Sequence, residues 1–179
     1  MNALQEMRQL YRDIRHTCRG LKHPITVRNK MAEAKKHLQA SPDLTDPEKD
    51  LVARVSSNID IKDTMFAGDA VHYLSAGLSG LRCVELAIKA AGKEIGNGSI
   101  LDFPCGYGRV LRWMRARFPD ARITAAEIDR DAFNFCATNF HVTPLESKIP
   151  IRALELDAKY DLIWCGSLFT HIDESAAVD

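Results

Sequence analysis

The sequence predicts an α/β fold: a parallel sheet wound with helices and preceded by an N-terminal helical region. Three observations carry this. From Ile100 onward, short apolar runs alternate with helical runs. The first of those apolar runs ends in an acidic residue and opens into a loop with two glycines. The first sixty residues, by contrast, show helical spacing. Strands that alternate with helices imply parallel pairing and right-handed crossovers. The change of texture divides the chain into a helical extension over 1–65 and an α/β domain over 66–179.

The elements follow in order. Leu4, Met7, Leu10, Tyr11 and Ile14 recur at helical spacing, with Arg8, Arg12 and Arg15 between them. Pro24 interrupts that pattern, and a second helical run covers about Val27 to Leu38. Ser41-Pro42-Asp43 breaks the chain. Thr45-Asp46-Pro47-Glu48 restarts it with a capping threonine, a proline in the first turn and an acid at the capping-box position. That helix runs to about Ser56. Phe66 to Asp69 reads as a loop, Val71 to Leu74 as a short helix and Gly77-Leu78-Ser79-Gly80 as a break. Ser79 then caps an apolar helix through Ala91, which Gly92 ends. After the turn Gly96 to Ser99, strands are expected at Ile100–Phe103, Arg122–Glu127, Val142–Glu146 and Tyr160–Cys165. Helices are expected at Arg109–Phe118, stopped by Pro119, and at Asp131–Phe140, with Trp113 and Phe118 in the core.

Composition excludes several classes. With 46% hydrophobic and 27% charged residues, the chain has ordinary globular proportions and disorder is set aside. No run approaches the roughly 18 apolar residues of a membrane span. The N-terminus MNALQEMRQLYRD has no apolar h-region, so a cytoplasmic protein without a signal peptide is expected. Five scattered cysteines, none in a C-x-x-C pair, suggest buried reduced thiols and neither a disulfide framework nor a metal site. The zero net charge hides an asymmetry: residues 1–40 carry nine Lys/Arg against three Asp/Glu. A basic arm suits nucleic acid or an anionic partner, and equally the solvated face of helices or docking on the acidic remainder of the chain. The basic residues are spread out and lack interleaved aromatics, so the nucleic-acid reading is the weaker one.

The segment Ile100-Leu101-Asp102-Phe103-Pro104-Cys105-Gly106-Tyr107-Gly108-Arg109 carries the chemistry. Glycines let the backbone turn sharply and let a ligand approach without meeting a Cβ. The helix that follows offers free N–H groups and positive partial charge. Glu127 ends the second strand, 21 residues after Gly106, where an acid accepts hydrogen bonds from ribose hydroxyls. A dinucleotide fingerprint wants a third glycine inside the helix, and Leu111 stands there instead. Asp102 would repel a pyrophosphate and attract an ammonium group. A ligand with ribose hydroxyls, an amino-acid group and no phosphate fits both facts, and S-adenosylmethionine is such a ligand.

The run ILDFPCGYGRVLRWMRARFPDARITAAEID, followed by YDLIWCGSLFTHID, resembles the class I (Rossmann-like) S-adenosylmethionine-dependent methyltransferases over about residues 100–173. The resemblance extends more weakly upstream through MFAGDAVHYLSAGLSGLRCVELAIKAAG. It implies that the cofactor lies against Asp102, Pro104, Cys105, Gly106, Tyr107, Gly108, Glu127, Ile128, Cys165 and Gly166. It places the adenine near Ser147-Lys148 and implies that His72-Tyr73 close over the ligand. Cys105 reads as a small turn residue. Tyr107 either packs on the methionine chain or covers the loop. Arg109 either meets the ligand carboxylate or lies on the surface. His171 is a weak candidate for a general base. The fourth strand lacks the Asn/Asp-Pro-Pro-Tyr/Phe segment of nucleobase and glutamine methylation, which lowers those acceptors without naming another; the acceptor is unidentified, with a small molecule favoured. The family's sheet has seven strands and this sequence supplies four, so a truncated methyltransferase is expected. The alternatives are a non-catalytic nucleoside-binding module and an NAD-dependent oxidoreductase.

Overall fold

The computed structural model describes residues 24–148, 153–156 and 158–168. The helix expected over Leu4–Ile14, and His171, lie outside them. Helix α1 spans Pro24–Ala40 and α2 spans Asp46–Arg54. Pro24 opens α1, where its missing N–H costs nothing. Val27, Met31, Ala34 and Leu38 form the buried stripe of α1 at helical spacing. In the first turn of α2, the Thr45 N–H donates to Glu48 Oε2 at 2.8 Å.

Helix α3 runs unbroken from Ala70 to Ala90. The break expected at Gly77-Leu78-Ser79-Gly80, with Ser79 as a cap, is therefore corrected. The N-cap is Asp69, whose Oδ1 accepts the His72 N–H at 2.9 Å. The two glycines belong to helix packing. A Cβ on Gly77 would come within 2.4 Å of the Arg109 carbonyl oxygen and 2.6 Å of the Trp113 indole. One on Gly80 would come within 2.7 Å of Val110. Gly92, at φ +61°, follows the helix end as expected.

The α/β part holds β1 (Ser99–Asp102), α4 (Leu111–Arg117), β2 (Arg122–Glu127), α5 (Arg130–Phe140), β3 (Thr143–Glu146) and β4 (Leu162–Trp164). The four strands pair in parallel in the order β3-β2-β1-β4. Ile100, Ile123 and Ala125 join the main core, which also holds Met31, Val52, Leu74, Leu81 and Trp113. That core crosses from the N-terminal helices into the sheet. Leu101, Phe103 and Ala126 form a second cluster. A parallel strand with both faces covered needs a continuous apolar run, which is what Ile100–Leu101 supplies. Asp161 fixes the start of β4: its Oδ2 accepts the Ser99 N–H at 2.8 Å and the Ser99 hydroxyl at 2.9 Å.

Arg112, on α4, is 1% exposed. Its Nε donates to the Gly108 carbonyl, Nη1 to the carbonyls of Ser56 and Asn58, and Nη2 to the Tyr73 hydroxyl and the Tyr107 carbonyl, all between 2.9 and 3.3 Å. The Tyr73 hydroxyl donates in turn to Asp63 Oδ2 at 2.6 Å. No helix among the described residues is long and apolar enough to cross a membrane.

The packing of α3 on α4 gives a test. Replacing a helical glycine by alanine gains about 1 kcal/mol in propensity. Overpacking a fixed contact costs about 1–3 kcal/mol, and here the obstacle includes a backbone carbonyl that cannot rotate away. Gly77→Ala is expected to lower the unfolding free energy by roughly 1–2 kcal/mol in urea denaturation. An unchanged or raised midpoint would show that the helices separate freely.

Candidate functional site

The chain winds from β1 outward to β2 and β3, then returns to place β4 on the other side of β1. In parallel sheets this reversal opens a crevice at the carboxyl ends of the strands, where ligands bind. A cleft of about 730 Å³ lies there, bordered by the ends of β1, β2 and β4 and by the glycine loop. Asp102, Pro104, Cys105, Gly106, Tyr107, Glu127, Ile128, Cys165 and Gly166 all line it. Of the ten residues expected at the cofactor, Gly108 alone does not.

The loop is anchored at both ends of the crevice. The Phe103 N–H donates to the Trp164 carbonyl at 2.9 Å, and the Cys105 N–H to the Ala126 carbonyl at 3.0 Å. The Phe103–Pro104 peptide is cis. Gly106 has φ +49°, a Cβ there would meet nothing within 4 Å, and its N–H donates to Glu127 Oε2 at 2.9 Å. Gly108, at φ +76°, has a different task. A Cβ there would fall 2.4 Å from the Phe140 ring, so this glycine lets the loop pack on α5.

Two carboxylates define the chemistry. Glu127 Oε1 accepts the Ile128 N–H at 2.7 Å, which with the Gly106 bond fixes the side chain at the rim. Asp102 ends β1 and is 2% exposed. Among the described residues no donor reaches its carboxyl group. Burial pushes its pKa well above the ordinary value, and the charge of Glu127 adds to this. Burial thus disfavours the ionised form of Asp102, and a positive group placed beside it would favour that form.

The remaining residues resolve as follows. The Cys105 thiol lies 4.0 Å from that of Cys136, and this contact, with burial, drives its pKa upward, away from nucleophilic use. The sequence shows no partner for Cys105 because Cys136 is 31 residues away. Cys105 and Cys136 are buried, whereas Cys83 and Cys165 are exposed, which corrects the expectation of buried thiols for those two. The Tyr107 ring packs on Phe135 and its hydroxyl donates to Asp129 at 3.3 Å, while the residue also lines the cleft. Arg109 lines the cleft, as do Ser147 and Lys148 at the end of β3. Gly166 lies where a Cβ would strike the Trp164 indole at 2.7 Å.

His72 and Tyr73 do not close over the cleft. His72 is exposed and Tyr73 is buried against Arg112 and Asp63. The upstream residues that border the cleft are Asp63, Met65, Ala76 and Gly80, which the sequence reading did not identify. The basic residues of α1 turn inward where they make contacts: Lys30 donates to the Gly68 carbonyl and Lys35 to that of Ala53.

Residues 100–179 match the family described as a methyltransferase domain. The malonyl-[acyl-carrier protein] O-methyltransferase of Acetivibrio thermocellus is 35% identical over 71 residues, 39% of this chain and 25% of that protein. The chain thus spans about a quarter of the length of that curated relative. Among solved structures, a TehB-like SAM-dependent methyltransferase from Corynebacterium glutamicum aligns with a TM-score of 0.39 and 16% identity, over 57% of this chain and 61% of that one. The plantazolicin methyltransferase BpumL, in complex with a pentazolic desmethylPZN analog and SAH, aligns with a TM-score of 0.38 and 27% identity, over 76% of this chain and 46% of that one.

Asp102 gives a pH test. A carboxyl whose folded pKa is raised binds its proton more tightly folded than unfolded. Its contribution to stability is full below the ordinary value of 3.8 and is lost as pH rises through the folded pKa. Burial of this carboxyl therefore opposes folding increasingly as pH rises above the ordinary value. Asp102→Asn is expected to raise Tm at neutral pH by a few degrees and to have little effect under strongly acid conditions, as read by calorimetry across pH. A Tm difference that does not change with pH would rule out burial of the charge as the cause.

Proposed function

We propose, from the premise that residues 100–179 are a class I methyltransferase domain, that this chain binds S-adenosylmethionine and takes part in methyl transfer to a small-molecule acceptor. The observation that carries the reading is the pair of carboxylates flanking the glycine loop. Asp102, buried and without a donor among the described residues, suits an ammonium group. Glu127, fixed by the Gly106 N–H, suits ribose hydroxyls. Ile128, Ser147 and Lys148 border the adenine end, and Cys165 and Gly166 border the methyl end. The residues present fit this cofactor better than a dinucleotide, since two acids flank the loop and Leu111 replaces the third glycine.

When bound, the cofactor supplies a methyl group on a positively charged sulfur. The protein's task is to hold the reacting atoms in line and exclude water. The loop anchors at Phe103 and Cys105 fix the donor side. The acceptor side falls to the wall formed by Met65, Ala76, Val110 and Leu168. No strong acid is needed, which accords with the scarcity of catalytic side chains in the cleft. A base is required only for an acceptor that must first lose a proton, and His171 is our candidate for that role.

Calorimetric titration tests the reading. S-adenosylmethionine and S-adenosylhomocysteine are expected to bind at micromolar Kd, about −8 kcal/mol, and NAD not to bind. Glu127→Ala removes charge-assisted bonds worth about 1.5–3 kcal/mol and is expected to weaken binding roughly 10- to 100-fold. A chain with native circular dichroism that binds neither sulfur ligand would refute the proposal. Preference for NAD would return the site to an oxidoreductase.

A further inference from the structure

A second cavity, of about 260 Å³, shares no lining residue with the cleft. It is lined by Arg54, Arg112, Arg115 and His141, with Ser56 and Asn139 among the polar groups, and by no Asp or Glu. Among the described residues, none of the three arginines forms an ion pair with a carboxylate; the ion pairs present involve Lys49, Lys62, Arg82 and Arg117.

The three guanidiniums play two parts. Arg112 engages all five of its N–H groups with protein acceptors. Arg115 donates to the carbonyls of Phe118, Pro119, Ala121, Phe140 and His141. Arg115 is satisfied by carbonyls alone, and Arg112 by four carbonyls and the Tyr73 hydroxyl, which passes its own hydrogen bond on to Asp63; neither arginine forms a direct ion pair among the described residues. The excess charge reaches beyond the cavity: Lys35, half-buried nearby, has its pKa lowered by burial and further by Arg112. Arg54, exposed in the last turn of α2, brings a guanidinium with no protein acceptor among the described residues. His141 brings an imidazole from the left-handed residue that ends α5, at φ 53°. Fixed charge behind, with free donors at the rim, is the arrangement that recognises an oxyanion.

We propose that this cavity binds a phosphate group, either inorganic phosphate or the phosphate of a monoester. Arg54 and His141 donate to its oxygens, and Arg112 and Arg115 supply the field. A phosphate dianion gains more than a monoanion from such a field, because the attraction scales with ligand charge.

The test is calorimetric titration and thermal melting of the full chain with sodium phosphate, with O-phosphoserine and with sodium chloride at matched ionic strength. Matching matters because exposed charges are screened by salt. Phosphate is expected to bind and raise Tm, and chloride not to. Arg54→Ala and His141→Ala, each referred to its own melting curve in chloride, are expected to weaken phosphate binding about tenfold, the effect of one lost charge-assisted bond. Binding of both phosphate compounds assigns recognition to the phosphate group itself. Binding of the monoester alone assigns the site to an esterified ligand. Equal phosphate effects in wild type and both variants, or no effect beyond chloride in wild type, would overturn the proposal.

Discussion

The structure turns on one buried cation. Arg112 sits where three otherwise separate pieces of chain meet: the Ser56–Asn58 segment after α2, Tyr73 on α3 and the glycine loop. Taking a guanidinium out of water costs several kcal/mol, and hydrogen bonds to a charged group return about 1.5–3 kcal/mol each. The arrangement also fixes geometry. The carbonyls of Tyr107 and Gly108 must point inward at the guanidinium, which sets the path of the loop that borders the cleft. Tyr73 and Phe140 stack against the same cation, each ring centre 5.1 Å from the guanidinium carbon.

That constraint explains why the N-terminal helices and the sheet share a core. The Asp63–Tyr73–Arg112 chain begins at a residue that lines the cleft and ends at the helix behind the loop. Asp63 also accepts the Met65 N–H at 2.9 Å, so the segment that brings Met65 to the cleft is held by the same chain of bonds. Arg115 does the corresponding work one turn later, gathering the carbonyls at the end of α5 and those before β2. Two arginines on one short helix thus hold both the loop and the α5–β2 corner in register.

What was legible in the sequence is what is encoded locally. The glycine loop, the acid at the end of each of the first two strands and the strand–helix alternation depend on neighbours within a few residues. Their positions were correct to within two or three residues. The misreading of α3 has the same origin. A local rule takes Gly77 and Gly80 as punctuation, but their meaning lies at Arg109, Val110 and Trp113, thirty or more residues away. Arg112 was invisible for a similar reason. It sits in a run of arginines, and only its flanking by Leu111, Trp113 and Met114, all buried, hints that this helix has no solvent face for it. Its partners lie up to 56 residues away. The Cys105–Cys136 contact and the cleft-side roles of Asp63 and Met65 are non-local in the same way.

The sheet also carries an electrostatic cost at the end of β1. Asp102 ends a strand buried on both faces, so its carboxyl group enters the crevice already desolvated. Across the loop, Glu127 adds like charge. Burial and the charge of Glu127 both work against the ionised form of Asp102, whereas Glu127 is itself held by the Gly106 and Ile128 N–H groups. A water-exposed carboxylate would avoid that cost but would attract a cation weakly, because high dielectric screens the interaction. The buried one gains more when a positive group arrives, and the gain includes relief of strain that was present beforehand. On the proposed reading, the stability that Asp102 gives up would return as affinity for the ligand's ammonium group, a trade common at functional sites. It also explains why the loop must be held by something other than the ligand: without the Arg112 carbonyl bonds, the chain around Asp102 could open and let water solvate the charge.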